Sequence, residues 1–203
     1  DTLREQGLLP EWELDVTPLK ASPSAPYHKI KKLDLSLDGC RLDGNKLIVT
    51  LCDIKTGKEI GTQTITNAKK QFSKGLKKEG AGAFIGQHTE TLVITEGYAT
   101  GQAVHLATGY QVLFALDATT VPKNVASLQK HDPTRKLIVA ADADAQGEKA
   151  VEKAGVAYSM PSQKGEDWND VYVRDGADAT AAQFEQNIQT PGEKAFDLAG
   201  FNI

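Results

Sequence analysis

Short apolar runs alternate with helix-length segments from Thr91 onward, and this alternation limits the fold more than any other feature of the 203-residue chain. The runs are TLVIT at 91–95, QVLFAL at 111–116 and KLIVAA at 136–141. Helices are predicted between and after them, at about 98–108, 122–130 and 146–154. Continuous apolar runs of this length are typical of strands that are buried on both faces, with helices as the crossover connections. The second half of the chain is therefore predicted to be an α/β domain with helices flanking a parallel sheet.

The segment before this domain has a different pattern. From Leu33 to Gly86 the apolar residues mostly recur at every second position, and KLIVTLCDI, TGKE and IGTQTI predict two strands joined by a tight turn. After the third apolar run, a short strand in GVAYSM, a loop around Trp168 and a helix at about 178–187 are predicted.

These changes of pattern divide the chain into four parts. Residues 1–26 contain four prolines within seventeen positions and are predicted to be a linker or N-terminal extension. Residues 27–88 form a small strand-rich α+β subdomain, residues 89–190 form the α/β domain, and residues 191–203 form a tail. Because the chain begins with Asp1 rather than Met, we expect it to be a piece of a longer protein.

The charge is distributed unevenly along the sequence. The whole chain has a net charge of −4, which excludes a uniformly basic nucleic-acid binder. Residues 27–88 hold twelve basic and six acidic residues, whereas residues 89–203 hold nine and sixteen. No apolar run approaches the roughly 20 residues that a membrane-spanning helix needs, and Cys40 and Cys52 lack the spacing of a zinc ribbon or a disulfide framework. We expect a cytoplasmic protein without a membrane partner, whose contacts with nucleic acid are local.

Three acidic residues follow the predicted strands where an α/β sheet carries its chemistry. Glu96 comes directly after TLVIT, and Asp142 and Asp144 come directly after KLIVAA. Ligands bind outside the carboxyl ends of such strands, so these carboxylates meet if their strands are neighbours. Carboxylates held this close repel each other unless a cation lies between them, and hard ions such as Mg²⁺ or Mn²⁺ prefer such oxygen ligands. Asp144 is also well placed to cap the helix that follows it, so capping remains an alternative role.

The motifs TLVITEGYATGQAV and LIVAADADAQGEKA, about forty residues apart, resemble the Toprim domain of bacterial-type primases, topoisomerases and some nucleases. GEDWNDVY resembles the third acidic motif of plasmid- and phage-borne primases, which implies that Asp167 and Asp170 are further carboxylates of the site. LIVTLCDIKTGKEIGTQTI and KKQFSKGLKKEGAGAFIG resemble the smaller subdomain that precedes Toprim in primase catalytic cores. Bacterial replicative primases carry an Asp four residues after the motif Glu, where this chain has Thr100.

The resemblance implies a DNA primase catalytic core that makes short RNA primers on single-stranded DNA from nucleoside triphosphates. It implies that Glu96, Asp142 and Asp144 are catalytic and that, with Asp167 and Asp170, they bind Mg²⁺ or Mn²⁺, with two ions expected. A plasmid or phage setting and a partner helicase, as a domain or a separate protein, are also implied. Two alternatives stay open: a Toprim nuclease that uses the same carboxylates, and a non-catalytic nucleic-acid-binding module of a replication protein.

A cluster of basic residues precedes the α/β domain within a ten-residue stretch that contains no acid. Lysines neutralise phosphates, and an aromatic ring among them can stack on a base, so the stretch is a candidate track for single-stranded DNA. A solvated surface loop is the alternative. The predicted nucleic-acid-binding residues are Lys69, Lys70, Phe72, Lys74, Lys77 and Lys78.

Overall fold

The computed structural model of the chain describes residues 26–37 and 39–191. Apart from Pro26 and Pro191, the predicted linker and the predicted tail therefore lie outside the described residues. The described part contains one mixed sheet of nine strands with helices packed on it. No helix in this part has the length and apolar character needed to cross a membrane.

The α/β half of the sheet is built as the sequence predicts. Strand β6 lies between β7 and β8, and β8 pairs with β9; all three of these pairings are parallel. The strands are β6 (Thr91–Thr95), β7 (Gln111–Phe114), β8 (Lys136–Ala140) and β9 (Ala157–Ser159). Since β6 is fully buried, its apolar run is explained by cover on both faces of the sheet.

The N-terminal half of the sheet is antiparallel. The predicted hairpin is confirmed as β2 and β3. Asp53 stabilises the turn between them, because its Oδ1 accepts hydrogen bonds from the backbone N–H groups of Lys55 and Thr56 at 3.1 and 2.9 Å. The strands are β1 (Cys40–Asp43), β2 (Lys46–Asp53), β3 (Glu59–Ile65), β4 (Lys70–Phe72) and β5 (Ala81–Ile85).

Strand β5 joins the two halves into one sheet. It pairs antiparallel with β2 on one edge and with β7 on the other, which gives the order β4-β3-β2-β5-β7-β6-β8-β9, with β1 beside β2. The sheet thus continues across the predicted boundary between residues 88 and 89. The strand-rich segment is therefore held in a fixed position relative to the α/β half, because backbone hydrogen bonds connect them.

The helices agree closely with the sequence pattern at four of the predicted positions. The described helices are α1 (Tyr27–Ile30), α2 (Tyr98–Thr108), α3 (Val121–His131), α4 (Ala145–Ala154), α5 (Trp168–Asp175) and α6 (Ala177–Gln186). The prediction of a loop around Trp168 was wrong, since α5 begins there. Asp167 and Asp170 form a reciprocal capping box that starts this helix, and the buried Trp168 ring packs edge-on against Phe184.

Two apolar clusters cover the two faces of the sheet. Helices α2, α5 and α6 pack together on one side, where Val93 joins a cluster that also includes Val49 and Ile65 of the N-terminal half. Helices α3 and α4 pack together on the other side, where Leu92 and Ile94 point. The first cluster spans both halves of the chain, so apolar burial as well as strand pairing fixes their relative position.

Gly147 allows helix α4 to approach the end of β8 closely. A Cβ atom built at this glycine would lie 2.1 Å from the backbone oxygen of Asp142. Alanine favours a helix by about 0.5–1 kcal/mol over glycine, but a clash with backbone costs about 1–3 kcal/mol. We predict that Gly147→Ala lowers the free energy of unfolding by about 1–2 kcal/mol in chemical denaturation.

Gly97→Ala is the matched control for this prediction. Gly97 has an ordinary φ of −110°, and a Cβ there would meet only Thr100, with its nearest atom 3.4 Å away. This variant is expected to unfold like the wild type. Equal stability of the Gly147 and Gly97 variants would contradict the account of the close approach.

Candidate active site

The two central acidic motifs lie side by side at one edge of the sheet. Strands β6 and β8 are parallel neighbours, with Thr95 opposite Ala140. Glu96 follows β6 directly, and Asp142 is the second residue after β8. The condition set by the sequence, that the two strands be neighbours, is confirmed.

A cleft of about 390 Å³ opens beside these strand ends and is lined by both halves of the molecule. The α/β half contributes four carboxylates and the start of helix α2. The N-terminal half contributes basic, amide and aromatic side chains. The lining carboxylates are Glu96, Asp117, Asp142 and Asp167, and the residues from the other half are Tyr27, Lys31, Gln63, Lys70, Phe72 and Lys78.

Glu96 and Asp142 are held in an environment that opposes their ionisation. Burial, and then the negative charges of Glu96, Asp167 and Asp144, raise the pKa of Asp142 to about 7. Burial and the charges of Asp144 and Asp117 also raise the pKa of Glu96. The positive charge of Lys70 opposes both shifts, so this lysine faces the acidic cluster from β4.

The acidic cluster fits a divalent cation by its chemistry. Oε1 of Glu96 and Oδ1 of Asp142 are buried and have no hydrogen-bond partner. Unpaired buried carboxylate oxygens are costly, and a hard cation would satisfy them and relieve their mutual repulsion. Within the described ranges, however, no three Asp, Glu, His or Cys side chains are already gathered as a metal-binding group.

Asp144 serves as the cap of helix α4. Its Oδ1 accepts hydrogen bonds from the backbone N–H groups of Gln146 and Gly147, both at 2.8 Å. The capping alternative drawn from the sequence is therefore confirmed, and it leaves Oδ2 outside these two bonds. Asp144 is exposed, yet its charge contributes to the raised pKa values of Glu96 and Asp142, so capping does not remove it from the acidic cluster.

Asp167 and Asp170 are brought together at the start of helix α5. Besides the capping box, both accept from the ammonium group of Lys31, at 3.3 and 3.1 Å. Asp167 lies at the cleft and acts on the pKa of Asp142, whereas Asp170 is largely exposed. The positive charge beside the third acidic motif is thus supplied by the Lys31 ammonium group. The metal-binding role of Asp167 and Asp170 stays a prediction.

Asp117 follows β7 but has a different role from its neighbours. It is bound by Thr119 and Thr120 and by the ammonium group of Lys78 at 3.1 Å. Burial raises its pKa, but these hydrogen bonds and the charge of Lys78 outweigh burial and lower it. Asp117 therefore ties the basic stretch to the sheet edge.

The basic stretch divides into two groups. Lys70, Phe72 and Lys78 line the cleft, and the Lys78 ammonium lies 4.6 Å from the centroid of the Phe72 ring. Three further predicted residues are exposed and do not belong to the cleft lining: Lys69, Lys74 and Lys77. Their role in binding nucleic acid stays a prediction.

The start of helix α2 adds backbone donors to the cleft. Gly97, Ala99 and Thr100 line it, and Gly97 provides no side-chain cap for this helix. The N–H groups of a first helical turn lack partners in the helix and favour anions. Thr100, four residues after Glu96, is buried, so helix α2 places no carboxylate at that position.

Sequence reasoning missed three cleft residues of the N-terminal half: Tyr27, Lys31 and Gln63. Burial raises the pKa of Tyr27 to about 12, which keeps its hydroxyl protonated. Tyr27 and Lys31 are more than 130 residues away from Asp167, so no local motif connects them. Gln63 gives a weak local signal, as a polar residue within a predicted strand.

Comparison with known proteins agrees with this arrangement. Residues 91–178 match the family model of the Toprim domain. The RNA polymerase domain of Mycobacterium tuberculosis primase superposes with a TM-score of 0.55 at 17% identity, covering 91% of this chain and 65% of that one. A primase domain from Pseudomonas aeruginosa gives 0.55 at 18% identity, covering 71% and 51%. The primase fragment of the bacteriophage T7 primase-helicase gives 0.54 at 18% identity, covering 71% and 64%.

Residues 91–178 thus match the Toprim family model within a larger α/β fold. More particularly, the described part is similar in fold to bacterial and phage primase domains. At these identities the likeness to the solved structures establishes the fold. The chain spans about half to two thirds of the length of these three relatives.

The raised pKa of Asp142 predicts a pH-dependent stability. A carboxyl group with a raised pKa in the folded state stabilises that state below its unfolded pKa, near 4, and this stabilisation is lost as the pH rises through about 7. We predict that Asp142→Asn gains stability relative to the wild type between pH 4 and pH 8 in metal-free buffer, by up to about 4 kcal/mol. Denaturant unfolding at a series of pH values measures this difference.

The exposed Asp178 supplies the control, because Asp178→Asn removes a carboxylate that does not line the cleft. Its stability profile is expected to run parallel to that of the wild type. If the Asp142→Asn profile is parallel as well, the proposed electrostatic strain at this site does not exist.

Proposed function

We propose that the chain is the catalytic core of a DNA primase, which synthesises short RNA primers on single-stranded DNA from nucleoside triphosphates. The observation that carries the proposal is the composition of the cleft, where the acidic ends of β6 and β8 face basic and aromatic residues of β4. Polymerising nucleotides needs both: carboxylates for cations and a basic surface for the nucleic acid. A related primase catalytic domain, similar at a TM-score of 0.53 and 20% identity, is bound to single-stranded DNA.

The acidic residues are assigned the metal-binding role. Glu96, Asp142 and Asp144 would hold Mg²⁺ or Mn²⁺, two ions in all, with Asp167 and Asp170 as further candidates. Bound cations supply activation of the attacking 3′-hydroxyl and stabilisation of the charge on the triphosphate. Glu96 is a metal ligand or the general base. Its raised pKa suits both roles, because the carboxylate then accepts a proton readily, and a bound cation would stabilise its ionised form.

The remaining residues of the cleft position the substrates. Lys70 faces the carboxylates, so its charge can hold phosphate groups beside them. The start of helix α2 also lines the cleft. Its free backbone N–H groups and the positive end of the helix dipole favour the binding of phosphate there. The exposed Lys69, Lys74 and Lys77 would extend the basic surface along the template strand.

The primase is favoured over a Toprim nuclease by the N-terminal half. A nuclease would use the same carboxylates, but here the strand-rich segment belongs to the same sheet and lines the same cleft. The similarity to primase domains covers at least 70% of the chain in each of the three comparisons and so extends beyond residues 91–178, the range of the Toprim match. A helicase, as a domain or a partner protein, remains part of the proposal.

The direct test is primer synthesis on random single-stranded DNA with all four ribonucleotides. We expect the chain to make oligoribonucleotides with Mg²⁺ or Mn²⁺, because the cleft combines both required surfaces. The double variant Asp142→Ala with Asp144→Ala should lose this activity at least a hundredfold, as roughly expected when charge stabilisation is removed.

The control is Asp178→Ala, which leaves the cleft unchanged and should retain wild-type synthesis. Labelled DNA in the same reactions reports cleavage. Cleavage without extension would replace the primase by a nuclease, and metal-independent DNA binding without either reaction would identify a silent binding module.

A further inference from the structure

Gln63 carries an unpaired amide in the wall of the cleft. The residue is only 1% exposed, and neither its amide nitrogen nor its amide oxygen has a hydrogen-bond partner. No other buried side-chain amide of residues 26–37 and 39–191 is unpaired at both ends. Gln63 nevertheless lines the same cleft as Glu96 and Asp142.

The position of Gln63 in the sheet would suit an apolar residue better. On β3 it lies directly opposite Val49 of β2 and Phe72 of β4, so the three side chains share one face. Val49 and Ile65, two residues further along β3, belong to the main apolar cluster. A glutamine in this setting lowers the stability of the ligand-free protein, because its amide donor and acceptor lose their water partners without gaining others.

The chemistry of this amide differs from that of the rest of the cleft. The carboxylates suit cations, and the lysines suit phosphates. A glutamine amide is neutral and offers two donor hydrogens and one acceptor oxygen side by side. The group it complements best is a neutral edge that also carries both a donor and an acceptor, and a nucleobase edge is such a group.

We propose that Gln63 hydrogen-bonds the edge of a nucleobase bound in the cleft. The proposal deepens the proposed function and rests on it, since it assigns the base-contacting residue of the same site. Phe72, the cross-strand neighbour of Gln63, is half-buried and supplies a ring on which the same base can stack. Stacking there brings the edge of the base toward the adjacent strand, where the amide lies.

Lys78 controls access to this position. Its ammonium covers the Phe72 ring in the free protein, while its side chain is 45% exposed. Movement of this long side chain uncovers the Phe72 ring, the cross-strand neighbour of Gln63. The base can belong to a free nucleotide or to the DNA strand, and the two sources share the same chemistry.

The test compares Gln63→Met with the wild type in the full chain. Methionine keeps the volume of the side chain and removes its hydrogen-bonding groups. Dissociation constants are measured for the four ribonucleoside triphosphates with Mg²⁺, for dA, dC and dT homopolymers, and for tripolyphosphate with Mg²⁺ as a probe without a base. Thermal unfolding of each protein is recorded alongside.

We expect Gln63→Met to raise the dissociation constant of at least one base-containing ligand about three- to tenfold for each hydrogen bond lost. Binding of tripolyphosphate should not change, and the unfolding temperature should equal or exceed that of the wild type. The affected arm, nucleotides or homopolymers, identifies the source of the base. Gln71→Met is the matched control, since Gln71 is an exposed glutamine of β4 outside the cleft lining, and it should bind every ligand normally.

Three results would overturn the inference: unchanged affinity for every base-containing ligand, an equal loss of tripolyphosphate binding, or a lowered unfolding temperature that marks Gln63 as structural. Failure of the primase proposal is recognised separately. A wild type that makes no primer but loses nucleotide affinity through Gln63→Met would leave the base contact intact and remove only the polymerase reaction.

Discussion

Parallel pairing of β6 with β8 is the constraint on which the site depends. The register of these strands forces Glu96 and Asp142 to the same edge, whatever their mutual repulsion. The cost appears as a pKa of Asp142 near 7 and as carboxylate oxygens that are buried without partners. Apolar burial on both faces of the sheet outweighs this cost, since β6 is fully buried and β8 is buried at every residue after Lys136. The fold therefore maintains a concentration of negative charge that a divalent cation would relieve.

The continuity of the sheet gives this acidic edge its counterpart. Strand β5 hydrogen-bonds to β2 and β7, so the antiparallel half cannot rotate freely against the parallel half. The ion pair between Lys78 and Asp117, and those from Lys31 to Asp167 and Asp170, cross between the halves near the cleft. Solvent-accessible pairs of this kind contribute about 0–1 kcal/mol each, so they orient the cleft walls more than they hold the halves together. The charge asymmetry of the sequence becomes, in the folded chain, a cleft with acidic and basic sides.

The sequence predicted the elements that have strong local patterns. Buried strands such as β6 and amphipathic helices such as α3 follow from periodicity alone, and the hairpin β2–β3 follows from its turn residues. Helix α5 was missed because its signal is a capping box of two aspartates, which had been interpreted only as metal ligands. The two interpretations are compatible, since a carboxylate can cap a helix with one oxygen and face the cleft with the other.

Other features required the three-dimensional structure because they join distant residues. The insertion of β5 between β2 and β7 has no signature in its own five residues. Lys31 and Gln63 enter the site only through tertiary packing, so motif spacing could not identify them. The separation of Lys70 and Lys78 from the exposed Lys69, Lys74 and Lys77 depends on which way each side chain leaves its strand or loop, and a run of lysines does not encode that.

The central claim is that Glu96, Asp142 and Asp144 are collected at the sheet edge to bind divalent cations. Anomalous diffraction from crystals of the full chain grown with Mn²⁺ tests it most directly, since this signal locates manganese without reference to activity. The account predicts manganese within coordination distance, about 2.0–2.3 Å, of the Glu96 and Asp142 oxygens that lack partners in the free protein. Manganese bound only elsewhere, or no manganese at these oxygens at millimolar concentration, would contradict it.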